Sequence, residues 1–378
     1  MKIVCTAPSQ IPSNTANSIQ AMKACHALAQ LGHAVTLVVP GEPPAGAPTG
    51  RWEQLANHYG LETPFEVIYI PPYEGRTARR LFPWRAVWQA RRLQPDLIYT
   101  WYFQSAAAAL LVGLPVQVEI HDLPPGRFGQ LWYRLFLRLP GKKRQLVITQ
   151  ALADDLRAHY SSPEVYTVIA PNGVDLERYS ELPPSQEARK QLGLPDRPTA
   201  ACTGHLYTGR GVELFLGLAE NFPRVQFMWV GGRTQDVDYW RERAERLKLD
   251  NVIFTGFVPN ADLPRYQAAA DILLMPYGRQ VGGSSGAAPV RYFSSMKMFE
   301  YMAAGRPIVS SDLPVIRETL DEGSAMFCPP EDLAAWAAAV EHLLEDTVHA
   351  LQLKNKALRQ VQEYTWLARA RKALKDWR

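Results

Sequence analysis

The sequence predicts an α/β protein of two doubly wound, Rossmann-like units in tandem, and three observations predict it. Short apolar runs alternate with longer amphipathic stretches from the first residue. The alternation stops once, at a turn-rich stretch near the middle, and then resumes. The chain of 378 residues is also long enough for two domains of roughly 150 residues each. With 47% apolar and 21% charged residues it can fill two ordinary cores, which rules out wholesale disorder.

The first strand is expected at 2–5 and the first helix at 15–31, where Ile19, Met22, Cys25 and Ala29 recur at helical spacing and Gly32 stands in the C-cap position. Further strands are expected at 35–39, 65–70, 96–100, 116–120, 146–149 and 165–169, each separated by a helical or loop stretch. Such alternation implies a parallel sheet with helices on both faces. Pro171-Asn172-Gly173 is turn chemistry, and the polar, Pro-containing stretch 177–196 reads as a linker. A second series places strands at 199–202, 225–230, 252–254, 272–274, 307–309 and 325–327. The last helix, 365–378, carries Trp366, Leu367, Ala370 and Leu374 on one side. Two such units in tandem would leave a cleft between them, at the carboxyl ends of both sets of strands.

Composition excludes several classes. Cys5, Cys25, Cys202 and Cys328 lie far apart with no C-x-x-C pair, which reads as a reducing, cytoplasmic compartment. The apolar start is cut by Pro8 and Pro12, so no export signal is visible, and the run 106–116 falls short of the roughly 20 residues of a spanning helix. A balance of 41 Lys and Arg against 37 Asp and Glu is far from that of a nucleic-acid binder.

Two constellations carry chemistry. Gly204-His205-Leu206-Tyr207-Thr208-Gly209-Arg210-Gly211 follows a strand and opens a helix near Val212. Glycines there let the backbone approach an anion, the helix N-terminus offers N–H groups, and Arg210 adds a guanidinium, which together suit a diphosphate. A tight turn with an exposed Arg would read the same way. Neither a Walker A sequence nor G-x-G-x-x-G is present, which weakens the P-loop and dinucleotide readings. The second constellation runs from Ser294 to Val309, after a Gly/Ser-rich loop at 282–286. Glu300 sits there among apolar residues and needs a partner: a ribose diol, a neighbouring backbone, or Arg306.

Taken in order, the Pro171-Asn172-Gly173-Val174-Asp175 turn, the 204–211 loop, Asn251-Val252-Ile253-Phe254-Thr255-Gly256-Phe257-Val258-Pro259 and the stretch Lys297 to Val309 resemble glycosyltransferase family 4 of the GT-B fold. Gly32-His33-Ala34-Val35-Thr36 and Glu119-Ile120-His121-Asp122-Leu123-Pro124 extend the resemblance over almost the whole chain. It implies domains at 1–172 for the acceptor and 173–362 for the nucleotide sugar, facing a central cleft, with the helix 363–378 packing back on the first. It also implies retaining transfer from a nucleotide diphosphate sugar without a metal or cofactor.

The resemblance sets Gly204, His205, Gly209 and Arg210 at the donor, Arg210 where the family places a Lys against the donor phosphates and His205 where many members carry an Arg or a Ser, and the backbone N–H groups of Ser295, Met296 and Lys297 near the distal phosphate and sugar. Glu300 would hold the ribose, and Phe257 and Val258 would border the base. His121 is associated with the donor sugar in such proteins; taken alone it reads equally as a histidine satisfied beside Asp122. Glu119 is expected to be buried or to act through the same loop. His121, Arg210 and Glu300 would carry catalysis, and Ser13 and Asn14 would meet the acceptor. Tyr292 stands where the family often has the first of two Glu, so the sugar is not carried over.

The segment from Arg76 to Arg144 holds ten Arg and two Lys against Asp96, Glu119 and Asp122, a balance of +9 in a chain of net charge +4. Arg76 to Arg92 mixes cations with Phe82, Trp84 and Trp88, which suits an anionic membrane surface. Trp132 to Leu137 reads instead as a helix face turned into the core. The expected partners are thus a nucleotide sugar, a glycan, lipid or small-molecule acceptor, and the inner face of a membrane. The rivals are a nucleotide-sugar epimerase or phosphorylase of the same fold and a catalytically silent sugar-nucleotide or membrane-binding protein.

Overall fold

The computed structural model describes residues 1–45, 48–71, 76–160, 165–283 and 286–377. The chain divides into two compact units, Met1–Asn172 with Trp366–Arg378, and Gly173–Thr365.

The first unit is built on a seven-stranded sheet: β1 (Lys2–Thr6), β2 (Ala34–Pro40), β3 (Glu66–Ile70), β4 (Leu97–Thr100), β5 (Val116–Ile120), β6 (Lys143–Val147) and β7 (Tyr166–Ile169). The order is β3-β2-β1-β4-β5-β6-β7 and every pair is parallel. The order reverses at β1 and β4, so the loop after β1, which carries Ser13 and Asn14, leaves the sheet at its switch point. Thr15 caps the helix Ala16–Gln30 by accepting from the Ser18 N–H, and Gly32 follows its end at φ 79°. The helix Trp366–Leu374 packs against Ala16–Gln30, which is why the latter is buried nearly all round.

The second unit has strands β8 (Thr199–Thr203), β9 (Gln226–Val230), β10 (Val252–Phe254) and β11 (Ile272–Met275), the hairpin β12 (Gln280–Gly283) with β13 (Gly286–Pro289), and β14 (Ile308–Ser311) and β15 (Met326–Cys328). The main sheet runs β10-β9-β8-β11-β14-β15, and its pairs are parallel. The inner strands β8, β9, β11 and β14 are buried on both faces: Ala200 and Cys202 enter a core with Phe215, Trp229 and Trp336, while Ala201 enters one with Met228, Phe299 and Met302. The order reverses between β8 and β11, so the 204–211 loop emerges at the switch point of this sheet.

Five expectations are corrected. The stretch 177–196 is no linker: it forms a turn of 3-10 helix, Leu176–Tyr179, and the helix Ser185–Gln191, where buried Arg189 donates to the Ala269 carbonyl and to Asp271. β6 starts at Lys143, not 146, because Arg144 is buried with its guanidinium on the Ala373 carbonyl and so breaks the apolar pattern. The Gly/Ser-rich stretch at 282–286 belongs in part to the β12–β13 hairpin, with 284–285 outside the described residues. The last helix is Trp366–Leu374, and the face it buries is Trp366, Arg369, Ala370 and Ala373 rather than one with Leu367 and Leu374. The second unit reaches Thr365, not 362, because Val174 bridges to Thr365 and its N–H donates to the Tyr364 carbonyl.

Candidate functional site

β8 ends at Thr203, and the chain turns through Gly204, Gly209 and Gly211, at φ 119°, 75° and 80°, into the helix Val212–Asn221. Two of these glycines are demanded by their neighbours as well as by their φ. A Cβ on Gly209 would fall 1.8 Å from the Gln280 carbonyl oxygen, and one on Gly211 would fall 1.9 Å from that of Pro276. The segment after β11 is therefore seated on the loop. Gly278 N–H donates to the Gly209 carbonyl at 2.9 Å, and Gly282 N–H donates to that of Thr208 at 2.7 Å.

The second constellation is joined to the same strand end. The helix Met296–Ala304 lays Lys297 and Tyr301 against Thr203: Lys297 Nζ donates to the Thr203 carbonyl at 3.1 Å, and the Thr203 N–H donates to Tyr301 Oη at 2.6 Å. Lys297 Nζ also lies 4.6 Å from the Tyr277 ring centroid, and the Arg210 guanidinium carbon lies 5.3 Å from that ring and 5.4 Å from the ring of Phe293. Tyr277 Oη and Ser295 Oγ share a hydrogen bond of 2.8 Å, and Ser295 caps the helix without a side-chain bond to its first turn. The 204–211 loop, a guanidinium and a helix N-terminus thus meet around one buried tyrosine, a set of groups that suits an anion.

The remaining second-unit candidates surround this centre less tightly. His205 stacks on Tyr207 at 4.9 Å, and Arg233 lies over the other partner of that stack, 4.9 Å from the Tyr207 ring. Glu300, half-buried on the helix Met296–Ala304, accepts from Gln267 Nε2 at 3.4 Å. Arg306, considered as its partner, donates to the carbonyls of Ala268, Ala270 and Gly305. Phe257 is 53% exposed, as a ring offered to a flat ligand would be, while Val258 packs on the core. Tyr292 ends the turn Val290–Tyr292.

In the first unit, Glu119 is buried at the centre of a polar network. It accepts from Arg369 Nη2 at 2.6 Å, from His121 Nε2 at 2.7 Å, and from Tyr99 Oη and Gln20 Nε2. Burial pushes the Glu119 carboxyl up, but Arg369, His121 and Tyr99 outweigh it and hold it down at about 2. His121 is therefore oriented by Glu119; Asp122 instead accepts from the Leu123 N–H. Arg369 also donates to the Pro171 carbonyl at 2.9 Å, so the returning helix is tied to the segment after β7 as well as to Glu119 on β5, two residues before His121. Ser13 is held by its own surroundings: its N–H donates to Tyr59 Oη at 2.8 Å, and its carbonyl accepts from Ser18 Oγ at 2.6 Å. Asn14 beside it is exposed.

Sequence reasoning missed Arg369, Tyr99, Tyr277 and Phe293. The available signal was Arg369 itself, a cation between Trp366 and Ala370 on a helix face otherwise apolar. Among the described residues, no group of three or more His, Cys, Asp or Glu side chains is placed to hold a metal ion.

Two Rossmann-like units, the second with a Gly-rich loop and a guanidinium at its switch point, define the GT-B class of α/β protein. The family model described as "Glycosyltransferase Family 4" matches residues 19–178, and that described as "Glycosyl transferases group 1" matches 197–346. The chain belongs to glycosyltransferase family 4. It is 27% identical over 264 residues to the 2-deoxystreptamine glucosyltransferase of Streptomyces kanamyceticus, which covers 65% of each chain. It is 26% identical over 247 residues to the D-inositol 3-phosphate glycosyltransferase of Corynebacterium kroppenstedtii, which covers 60% of this chain and 51% of that one. The chain therefore spans less than two thirds of the length of these curated relatives. Among solved structures it is similar in fold to the sucrose-phosphate synthase of Thermosynechococcus elongatus, with a TM-score of 0.73 and 19% identity over 100% of this chain and 98% of that one. It is likewise similar to Anabaena HepE in complex with UDP, with a TM-score of 0.73 and 20% identity over 100% and 99%.

Proposed function

We propose that this chain is a retaining glycosyltransferase that moves a sugar from a nucleotide diphosphate donor to a hydroxyl of a glycan, lipid or small-molecule acceptor, without a resident metal or cofactor. The observation that carries the reading is the junction at Thr203, which brings the 204–211 loop and Arg210 to the start of the helix Met296–Ala304. The relatives are named as glycosyltransferases and HepE binds UDP, which supports a nucleotide-sugar donor.

Cleaving the bond between sugar and diphosphate puts negative charge on the leaving oxygen and positive charge on the ring. Fixed donors at the leaving group lower that barrier because they need no reorganisation as the charge develops. Arg210 and the first-turn amides of Met296 and Lys297 are assigned that role. Glu300 is assigned to the ribose, and Phe257 with Val258 to the base. The departing phosphate helps to deprotonate the acceptor hydroxyl on the same face. His121, oriented by Glu119, is assigned to the donor sugar on the family resemblance.

Incubation with a panel of nucleotide sugars, in chelator, tests the reading. Transfer to an acceptor, or slow release of sugar to water, is expected. An isomerised donor would assign epimerase chemistry instead, and protection against heating without turnover would assign a silent binding protein. Arg210→Ala is expected to lower turnover about a hundredfold, the equivalent of about 3 kcal/mol.

A further inference from the structure

We propose that the helices Arg76–Arg92 and Gly126–Arg138 together form a membrane-docking face whose occupant is an anionic lipid surface. The proposal extends the sequence expectation for the first helix to a second one, and it does not depend on the donor assignment.

Both helices bury one apolar face, and both also place large apolar groups on the side turned to water. Phe82, Ala86, Val87 and Ala90 of the first are buried, while Leu81, Trp84 and Trp88 are 52%, 41% and 50% exposed. The second buries Tyr133, Phe136 and Leu137, as a core-facing helix should, yet leaves Phe128 and Leu131 at 74% and 57% exposed. Trp84 meets Trp132 edge to face at 5.7 Å, which joins the two helices into one surface. The helix Phe103–Leu111, which has no charged residue, packs against both. Exposed apolar side chains in a contiguous set mark an interaction surface.

Charge identifies the occupant. The two helices contain nine Arg and no Asp or Glu. Among the described side chains, Arg80, Arg85, Arg91, Arg92, Arg127 and Arg134 are exposed beside the apolar groups. The Arg92 guanidinium lies 4.4 Å from the Trp88 ring centroid, an arrangement that keeps a cation beside an interfacial aromatic. A second copy of this face would oppose Arg to Arg, and an apolar protein partner would leave the cations without counter-charge. Anionic headgroups satisfy the cations while the acyl boundary receives the rings. Among the described residues no helix is long and apolar enough to cross a membrane, so the contact proposed is with the surface.

Sedimentation with vesicles of phosphatidylcholine mixed with phosphatidylglycerol, and of phosphatidylcholine alone, tests this. The wild-type chain should bind the mixed vesicles at least about tenfold more tightly, and added salt should weaken that binding. The double variant Phe128→Ser/Leu131→Ser should lose about tenfold or more on the mixed vesicles. Arg85→Gln/Arg134→Gln should lose a similar factor. All four side chains are exposed, and thermal unfolding followed by circular dichroism should match the wild type. Equal binding to both lipid compositions, binding to neither, or variants that bind like the wild type would overturn the proposal. So would a concentration-dependent dimer that Phe128→Ser/Leu131→Ser dissociates, because it would assign the face to a second copy. Sedimentation requires no turnover, so a failed donor panel and a failed vesicle assay are separate results.

Discussion

Arg369 Nη2 donates to Glu119 Oε1 at 2.6 Å, with both side chains buried, so the returning helix is bound to the first unit by an ion pair as well as by apolar packing. Removing one partner of such a pair strands the other, which costs about 3–5 kcal/mol. Arg369→Met should therefore lower the stability of the first unit by about that amount in urea unfolding.

The same pair sets an acid limit. Glu119 is held at about 2, below its unfolded value, so its contribution to stability is fully present above about pH 4.5 and is lost as the pH falls toward 2. The stability at stake is about 3 kcal/mol. Urea unfolding of wild type between pH 5 and 2 should show this loss. Glu119→Gln should be less stable at neutral pH and flatter across that window, and an identical slope in both proteins would remove Glu119 as its source.

Gly209 and Gly211 of the candidate donor loop should be far less tolerant than a glycine elsewhere with the same backbone angle. Gly32 and Gly211 have φ of 79° and 80°, but a Cβ at Gly32 meets nothing within 4 Å, whereas one at Gly211 would lie 1.9 Å from the Pro276 carbonyl oxygen. Gly32→Ala should cost about 1 kcal/mol from backbone strain alone. Gly211→Ala should cost about 2–4 kcal/mol and weaken nucleotide binding, because the loop must move to admit the methyl group. Paired melting curves decide between them.

Tyr301→Phe removes the acceptor of the buried Thr203 N–H while keeping the ring in the core. An unsatisfied buried donor costs about 1–3 kcal/mol. The variant should melt earlier by a corresponding amount and bind nucleoside diphosphate more weakly; unchanged values in both assays would show that the junction at Thr203 does not hold the site.

The buried thiols of Cys5, Cys25, Cys202 and Cys328 should not react with a thiol reagent until the protein unfolds. Burial raises the Cys25 and Cys202 thiols, and burial with the charge of Asp332 pushes Cys328 up to about 12, so little thiolate is present at neutral pH.

Apolar periodicity made the architecture legible. Strands at 116–120 and 252–254 agree with the structure to the residue, because there the pattern is interrupted by turns on both sides. It failed where a charged side chain is buried with partners distant in sequence. Arg144 hid the start of β6, and Arg369 hid the true inner face of the last helix, since each finds its acceptors only after folding. The hairpin after β11 was also hidden, because Gly282, which read as loop, lies in β12 with its backbone close against the 204–211 loop, where a Cβ would fall 3.1 Å from the Thr208 carbonyl oxygen. The candidate site was legible as two motifs, but not as one place. Their junction depends on Thr203, Tyr277 and Tyr301, residues without a local signature.

Calorimetric titration of UDP and of GDP in the presence of EDTA, into wild type and Arg210→Ala, tests the central assignment most directly. At least one nucleotide should bind the wild type with chelator present, and Arg210→Ala should weaken this binding tenfold or more, about 1.4 kcal/mol. Binding that chelator abolishes, or that the Arg210 substitution leaves unchanged, would contradict that assignment.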